Sequence, residues 1–247
     1  DSLYQIPEER IDTVSGGQTI DLGGKTLRFI DAPWLHWPET MFTLYEEEGV
    51  LFPCDFFGAH IASSKFYAEE LGEVALDYAR DYYGEIMMPF RPRTRKAMEK
   101  LENFNIEVIA PSHGVVYRKP DRIIDAYKRW TKGKVKSKVL VLYISMWGST
   151  EKMVKAFVDT VASEGVEIKP IDLASSDLGD LAGELVEAGG IVIGTPTVLA
   201  GPHPSVHHVA YLAGKLNPPA KYLGLLESHG WAGGAVREVS NMVESLE

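Results

Sequence analysis

The second half of the chain alternates apolar runs with amphipathic stretches. Near-continuous apolar runs predict four strands, at residues 138–144, 166–173, 191–195 and 222–226. Apolar residues that recur every three or four positions predict helices at 149–163, 177–188, 206–216 and 235–247. Strands that are apolar on both faces are typical of a sheet covered by helices on both sides. The pattern therefore predicts a doubly wound parallel sheet.

The first half begins with short strands and continues with helices. Strands are predicted at 18–21, 25–31, 41–45 and 50–53, and a hairpin turn at 22–24 joins the first two. Helical periodicity follows at 68–83, 93–104 and 121–130, with a short buried strand at 107–110. Strands followed by helices predict a layered α+β or α/β sandwich.

Charge separates the two halves. Residues 1–130 carry 15 basic and 22 acidic side chains, and residues 139–247 carry 6 and 13. The segment 131–138 between them holds four lysines and no acid. A short polar segment between two acidic blocks is typical of a linker. We therefore predict two domains, at 1–133 and 134–247.

Composition narrows the function classes. The 247 residues are 45% hydrophobic and 24% charged, values typical of a folded globular protein rather than a disordered one. A net charge of −10 argues against a nucleic-acid partner. No apolar run reaches the roughly 18 residues that a membrane span needs. The single cysteine, Cys54, excludes an internal disulfide and favours a reducing compartment, so we expect a cytoplasmic protein.

A hydroxyl-rich turn joins the first strand of the second half to its helix. Its residues are Ser145, Met146, Trp147, Gly148, Ser149 and Thr150. Unpaired N–H groups at a helix N-terminus favour an anion, and the hydroxyls add further donors. The turn lacks the lysine of a nucleoside-triphosphate loop. It therefore predicts a site for a monophosphate, such as that of FMN.

Two further loops follow strands of the same predicted sheet. Ligands of such sheets bind at the carboxyl ends of the strands, and Gly-rich backbone offers N–H groups to a flavin ring. Each loop alone also fits an ordinary connection, so the hypothesis depends on all three. The predicted cofactor-binding residues of these two loops are Pro196, Thr197, Val198, Leu199, Ala200 and Gly201, and Ser228, His229, Gly230, Trp231, Ala232, Gly233 and Gly234.

Two loop histidines and one carboxylate are the candidate metal ligands of the first half. His36 follows an apolar run, and His113 follows the predicted strand 107–110. Asp55 lies among apolar residues, where a carboxylate is costly to bury unless it is paired or bound to a metal. Each residue taken alone also fits an ordinary polar contact or a turn.

Taken together, these features resemble known families. The residues His36, Asp55 and His113 are ordered as in the metallo-β-lactamase fold, and the 145–150 turn resembles the phosphate loop of flavodoxins, with Trp147 in place of a threonine. One such unit followed by the other is the layout of flavodiiron proteins, or A-type flavoproteins. The strings 35–41, 55–58, 111–114, 145–150 and 228–234 are similar to theirs. The implied fold class is α/β: the C-terminal part of a metallo-β-lactamase-like αββα sandwich, then a flavodoxin-like doubly wound parallel sheet that lacks its last strand.

The resemblance implies an oxidoreductase. In this family FMN passes electrons to two non-haem iron ions, which reduce O2 to water or nitric oxide to nitrous oxide. By the same resemblance His36 would bind one iron, His113 the other, and Asp55 would bridge them as the catalytic centre. It also implies an electron donor such as rubredoxin or a reduced deazaflavin. The expected assembly is a head-to-tail homodimer or tetramer, in which the flavin of one subunit faces the partner's irons.

Two parts of the family pattern are missing. No histidine precedes His36, so the H-x-E-x-D-H motif that supplies the family's other iron ligands is absent, and so is the last flavodoxin strand. We therefore expect the sequence to be a piece of a longer protein. Two alternatives remain open. One is an FMN electron carrier without a working metal site, and the other is a zinc hydrolase of the metallo-β-lactamase class fused to a flavodoxin-like domain.

Overall fold

A computed structural model describes residues 6–176 and 178–244, and its first sheet contains five strands. Their order in the sheet follows the chain, and every neighbouring pair is antiparallel except the last, which is parallel. The alternating burial of the middle strand reflects one face on the core. The strands are β1 (Thr19–Asp21), β2 (Thr26–Asp31), β3 (Met41–Tyr45), β4 (Val50–Phe52) and β5 (Val108–Ile109).

Three helices cover this sheet: α1 (Glu73–Tyr82), α2 (Arg91–Leu101) and α3 (Asp121–Thr131). The predicted helix at 68–83 is wrong at its start, because Gly72 has a φ of 64° and separates a single 3-10 turn from α1. The predicted break between 83 and 93 is also wrong. A π-helical turn (Tyr83–Met87) and a 3-10 turn (Met88–Phe90) join α1 to α2.

The second sheet matches the predicted doubly wound pattern. Its parallel strands lie in the order β10-β8-β6-β7, so the chain reverses direction across the sheet beside β6. Loops at such a switch point diverge and leave a crevice at the carboxyl ends of the strands. The strands are β6 (Lys138–Tyr143), β7 (Glu167–Asp172), β8 (Gly190–Val198), β9 (Gly201–Pro202) and β10 (Tyr222–Ser228). The helices are α4 (Ser149–Ser163), α5 (Leu178–Leu185), α6 (Pro204–Leu216) and α7 (Ala235–Val243).

One predicted strand boundary in this half differs from the structure, and two predicted helix ends lie outside the described residues. Residues 196–198, which follow the predicted strand 191–195, continue β8 and turn back into β9 through Leu199 and Ala200, which both have positive φ. Apolar patterning does not reveal this extension, because a partner strand rather than burial supports it. The predicted ends of two helices, at Asp177 and at 245–247, lie outside the described residues.

One apolar core runs through both halves. It joins side chains of the first sheet's helices, including Tyr83 and Trp130, to side chains of the second sheet such as Leu140 and Ile191. The two halves approach each other closely at Gly84, where an added Cβ would lie 2.3 Å from the carbonyl oxygen of Ala182 in α5. No helix in the described ranges is both long and apolar enough to cross a membrane.

Candidate functional site

Asp55 lies in a tight turn directly after β4. Cys54 and Phe57 have φ angles of 53° and 66°, and the Gly58 N–H donates a hydrogen bond to the Asp55 carbonyl at 3.0 Å. The turn leaves Asp55 only 7% exposed, next to the fully buried Phe56. A carboxylate this buried needs polar partners to offset its desolvation.

His36 and His113 are these partners. His36 Nε2 lies 3.2 Å from Asp55 Oδ2, and His113 Nε2 lies 3.3 Å from Asp55 Oδ1. Each carboxylate oxygen therefore has its own imidazole, as expected of a carboxylate that bridges two metal ions. Two donors about 2.1 Å from one ion and at an octahedral or tetrahedral angle are about 3.0–3.4 Å apart. The observed spacing fits that requirement.

The same geometry limits the number of donor atoms that these residues alone could give to each metal ion. Each ion would receive one imidazole nitrogen and one carboxylate oxygen, which is two donors. Within residues 6–176 and 178–244, no group of three or more His, Cys, Asp and Glu side chains could hold a metal ion. The described residues therefore do not make up a complete site for any one metal ion.

Backbone hydrogen bonds fix the ligand loops to one another. The Ser112 N–H donates to the Cys54 carbonyl at 2.8 Å, and the Ala59 N–H donates to the His113 carbonyl at 3.2 Å. Gly114 (φ 92°) packs so closely that an added Cβ would lie 3.0 Å from Ala59. Parallel pairing of β4 with β5 thus brings the Asp55 turn and the His113 loop to one edge.

A second polar pair adjoins this edge and was not assigned from the sequence. His60 Nδ1 lies 3.3 Å from Glu85 Oε2, and the His60 ring packs edge-on against Tyr82 with centroids 4.7 Å apart. The His60 and His113 ring centroids are 6.2 Å apart. Burial, and then the Asp55 charge, raise the pKa of the Tyr82 hydroxyl, so Tyr82 stays neutral. The π turn that carries Glu85 gave no sequence signal.

A cavity of about 400 Å³ lies at the carboxyl ends of the second sheet's strands. All three predicted loops contribute to it, in agreement with the switch point beside β6. Its lining residues are Ser145, Met146, Trp147, Ser149, Thr150, Pro196, Thr197, Val198, Ser228, His229 and Gly230.

The α4 end of the cavity has the features of a phosphate site. Helix α4 begins after Gly148 (φ 81°) without a side-chain cap, so its first N–H groups face the loop. The Ser145 hydroxyl accepts a hydrogen bond from the Gly148 N–H at 3.1 Å. Thr150, 1% exposed, shares a hydrogen bond of 2.9 Å with the Ser228 hydroxyl. The residues present therefore fit a monophosphate.

The remaining predicted flavin residues surround the cavity without lining it. Leu199 and Trp231 extend into solvent, and Trp231 is 98% exposed. Gly234 precedes α7. The other members of this group are Gly148, Ala200, Gly201, Ala232 and Gly233.

Glu227, the last residue but one of β10, was missed by the sequence reasoning. Its Oε1 accepts hydrogen bonds from the N–H groups of Gly234 (2.8 Å) and Ala235 (3.1 Å), and from the Thr197 hydroxyl. The available signal was an acid placed just before a Gly-rich loop that begins a helix, where carboxylates satisfy free N–H groups.

Comparisons with known proteins agree with both halves. Residues 2–114 match the family model described as ODP family beta lactamase. The chain is 39% identical to a nitric oxide reductase of Moorella thermoacetica over 95% of its own length and 60% of the relative's.

Two solved structures have the same fold. The chain superposes on the rubredoxin oxygen:oxidoreductase of Desulfovibrio gigas with a TM-score of 0.90 and 30% identity, covering 95% of this chain and 60% of that one. The flavodiiron protein of Giardia intestinalis gives a TM-score of 0.89, also at 30% identity, over 94% and 59% of the two chains. The chain thus spans about three fifths of the length of these relatives. With a metallo-β-lactamase-like half and a flavodoxin-like half in this order, it belongs to the flavodiiron protein family.

Proposed function

We propose that the protein is a flavodiiron oxidoreductase that reduces O2, nitric oxide or both. The observation that carries this proposal is the pairing of each Asp55 oxygen with its own imidazole, on the same chain as a cavity suited to FMN. Relatives named nitric oxide reductase and rubredoxin oxygen:oxidoreductase support both gases as substrates. The metal and flavin assignments are proposals that rest on this geometry and on the family.

His36, Asp55 and His113 would hold the two iron ions on their shared side. Imidazole and carboxylate donors suit redox-active iron and leave positions for a small gas ligand. When bound, the iron pair would supply the electrons that reduce the gas. The protein's own contribution is orientation, because the hydrogen-bonded loops keep both imidazoles on one carboxylate.

Ser145, Ser149, Thr150 and the α4 N-terminus would hold the FMN phosphate. The loops at 196–198 and 228–230 would enclose the ring, since they line the rest of the cavity. FMN supplies stepwise electron transfer when bound. We propose rubredoxin or a reduced deazaflavin as the electron donor, and a cytoplasmic location. The first donor is supported by the name of the Desulfovibrio gigas relative.

We also propose a head-to-tail homodimer or tetramer. Large aromatic side chains are exposed at both sites: Trp147 (90%) and Trp231 (98%) near the cavity, and Trp34 (44%) and Trp37 (60%) next to His36. Exposed apolar side chains of this size are typical of interfaces. Sedimentation of the flavin-loaded protein tests this, and a monomer at all concentrations would contradict it.

The decisive experiment measures metal, flavin and gas consumption on the same sample. The full-length natural protein is reconstituted anaerobically with iron(II) and FMN, then assayed with O2 and with nitric oxide. We expect bound FMN, bound iron and gas uptake, and we expect Asp55→Asn to lose iron and activity while it retains FMN. His208→Ala, an exposed residue of α6, serves as the control. Bound zinc without flavin would refute the proposal, and FMN without iron or gas uptake would favour an electron carrier.

A further inference from the structure

Glu227 connects two of the three loops that form the flavin cavity. Its Oε1 accepts hydrogen bonds from the Thr197 hydroxyl at the end of β8, and from the N–H groups of Gly234 and Ala235 where the loop after β10 meets α7. Its Oε2 accepts the Val236 N–H at 3.4 Å. One side chain therefore joins both loops to the start of α7.

These contacts tie the Gly-rich loop after β10, which has no regular structure, to the end of β8, which the sheet holds in place. Gly230 and Gly234 lie in a loop with no regular structure, and most of its residues are exposed. Thr197 lines the cavity directly. Hydrogen bonds to a charged group are stronger than those to a neutral one, so a carboxylate at this junction holds both loops firmly.

The carboxylate stays charged at neutral pH. Burial by itself would raise the pKa of Glu227, but the hydrogen bonds from Thr197 and from the N–H groups of Gly234, Ala235 and Val236 outweigh it and lower that pKa. A negative charge is thereby maintained one hydrogen bond away from a residue that lines the cavity. The proposed phosphate site is the 145–148 turn with the start of α4, whereas Glu227 reaches the cavity through Thr197, which we assign to the ring.

We propose that Glu227 is a positioning residue for bound FMN, which orders the two loops around the ring and makes the flavin harder to reduce. The inference rests on the proposed function. Reduction adds electrons to the ring, and a nearby fixed negative charge raises the free energy of a more negative ligand. Glu227 would thus keep the reduced flavin a strong electron donor to the metal site.

Substitutions of Glu227 and its partner separate the ordering of the loop from the effect of the negative charge. Glu227→Gln keeps a carbonyl oxygen that accepts the Gly234 and Ala235 N–H groups, but it removes the charge. Glu227→Ala removes both the hydrogen-bond acceptor and the charge. Thr197→Val leaves the contacts with α7 intact and removes only the hydrogen bond to the end of β8. Glu164→Gln is the matched control, because it removes an exposed carboxylate at the opposite end of the 15-residue α4, about 22 Å along the helix.

The test measures the FMN dissociation constant by flavin fluorescence and the midpoint potential of the bound flavin by a dye-coupled titration. We expect Glu227→Ala to weaken FMN binding about tenfold, and Thr197→Val and Glu227→Gln each to weaken it about threefold. We also expect Glu227→Gln to shift the midpoint potential to less negative values. Glu164→Gln should match the wild type in both measurements.

Two results would overturn parts of this proposal, and a third, distinguishable from both, would overturn the proposed function on which it rests. A wild-type potential in Glu227→Gln would remove the electrostatic role. Wild-type FMN binding in Glu227→Ala would remove the ordering role, and if that variant does not fold, wild-type binding in Thr197→Val decides the same point. A wild-type chain that binds no FMN would instead refute the flavin part of the proposed function.

Discussion

Two buried tyrosines hold the backbone next to the candidate metal ligand Asp55. The Phe57 N–H donates a hydrogen bond to the Tyr127 hydroxyl at 3.0 Å, and the Tyr117 hydroxyl donates one to the Phe57 carbonyl at 3.2 Å. Both rings are almost inaccessible to solvent. Burial raises the pKa of both hydroxyls, so they stay neutral and keep these roles.

Removal of the Tyr127 hydroxyl tests this support. Tyr127→Phe leaves the buried Phe57 N–H without a partner, which costs about 1–3 kcal/mol of unfolding free energy. Because Phe57 lies two residues after Asp55, we also expect weaker iron retention. Chemical denaturation and metal analysis measure the two effects. Tyr78→Phe, on the exposed face of α1, should change neither, and an equal loss in both variants would contradict the assigned role.

The sequence predicted the residues of the candidate site better than their contacts. His36, Asp55 and His113 could be selected because loop histidines and a carboxylate among apolar residues are unusual. Glu85 could not be selected, since its contact with His60 depends on a π turn. Glu227 carried only the weaker signal of an acid before a Gly-rich loop, and its partners are set by the return of that loop to its own strand. The residue type shows which chemistry a side chain can perform, whereas the fold determines which other residues it contacts.

At the level of elements, local patterning predicted all seven helices and most strands of the described residues. It failed where backbone conformation, rather than the apolar pattern, sets the end of a helix. At Gly72 a positive φ delays the start of α1. It also failed at the π turn, because the predicted helix ends at Tyr83 whereas a widened helical backbone continues through Met87. Hydrophobic periodicity reports which face is buried, not how the backbone accommodates a neighbouring element.

The contact of the α1–π segment with α5 gives an element-scale prediction. In Gly84→Ala the new Cβ would lie 2.3 Å from the Ala182 carbonyl oxygen, which is backbone and cannot move aside alone. We expect the two helices to separate at a cost of about 2–3 kcal/mol, despite the better helix propensity of alanine. Thermal and chemical denaturation measure this cost.

Gly183→Ala, on the facing helix, is the matched comparison. Its Cβ would meet mainly the Asp81 carboxylate, the end of a side chain that can rotate away. We therefore expect a smaller loss of unfolding free energy than in Gly84→Ala. Equal losses would show that helix propensity or general crowding, rather than the backbone approach at Gly84, limits this position.

For the whole molecule, the sequence indicated two units and a doubly wound parallel sheet in the second, because each unit has its own periodicity. The surface between the units was not foreseen. Helix α1 of the first half packs against α5 of the second, and Arg80 reaches Glu184 at 3.8 Å. Such contacts join residues about 100 positions apart, and no local pattern encodes them. The proposed boundary at 133/134 stays a prediction.

This surface makes stability depend on pH through Asp81. Burial raises its pKa to about 6; Arg80 opposes the shift, and the charges of Asp180, Asp77 and Glu85 add to it. The folded protein therefore binds a proton that the unfolded chain has released between about pH 4 and 6. Within that window the Asp81 contribution to unfolding free energy falls as pH rises, and its full cost is present at pH 7.

Asp81→Asn removes that cost. We expect the variant to be about 1–2 kcal/mol more stable than the wild type at pH 7 and similar to it near pH 4, because the wild-type carboxyl is then protonated and neutral. Urea unfolding at closely spaced pH values measures the difference. Asp159→Asn, on the exposed face of α4, should leave the profile unchanged. A stability difference that stays constant from pH 4 to pH 7 would mean that Asp81 acts through shape or hydrogen bonding, and not through its charge.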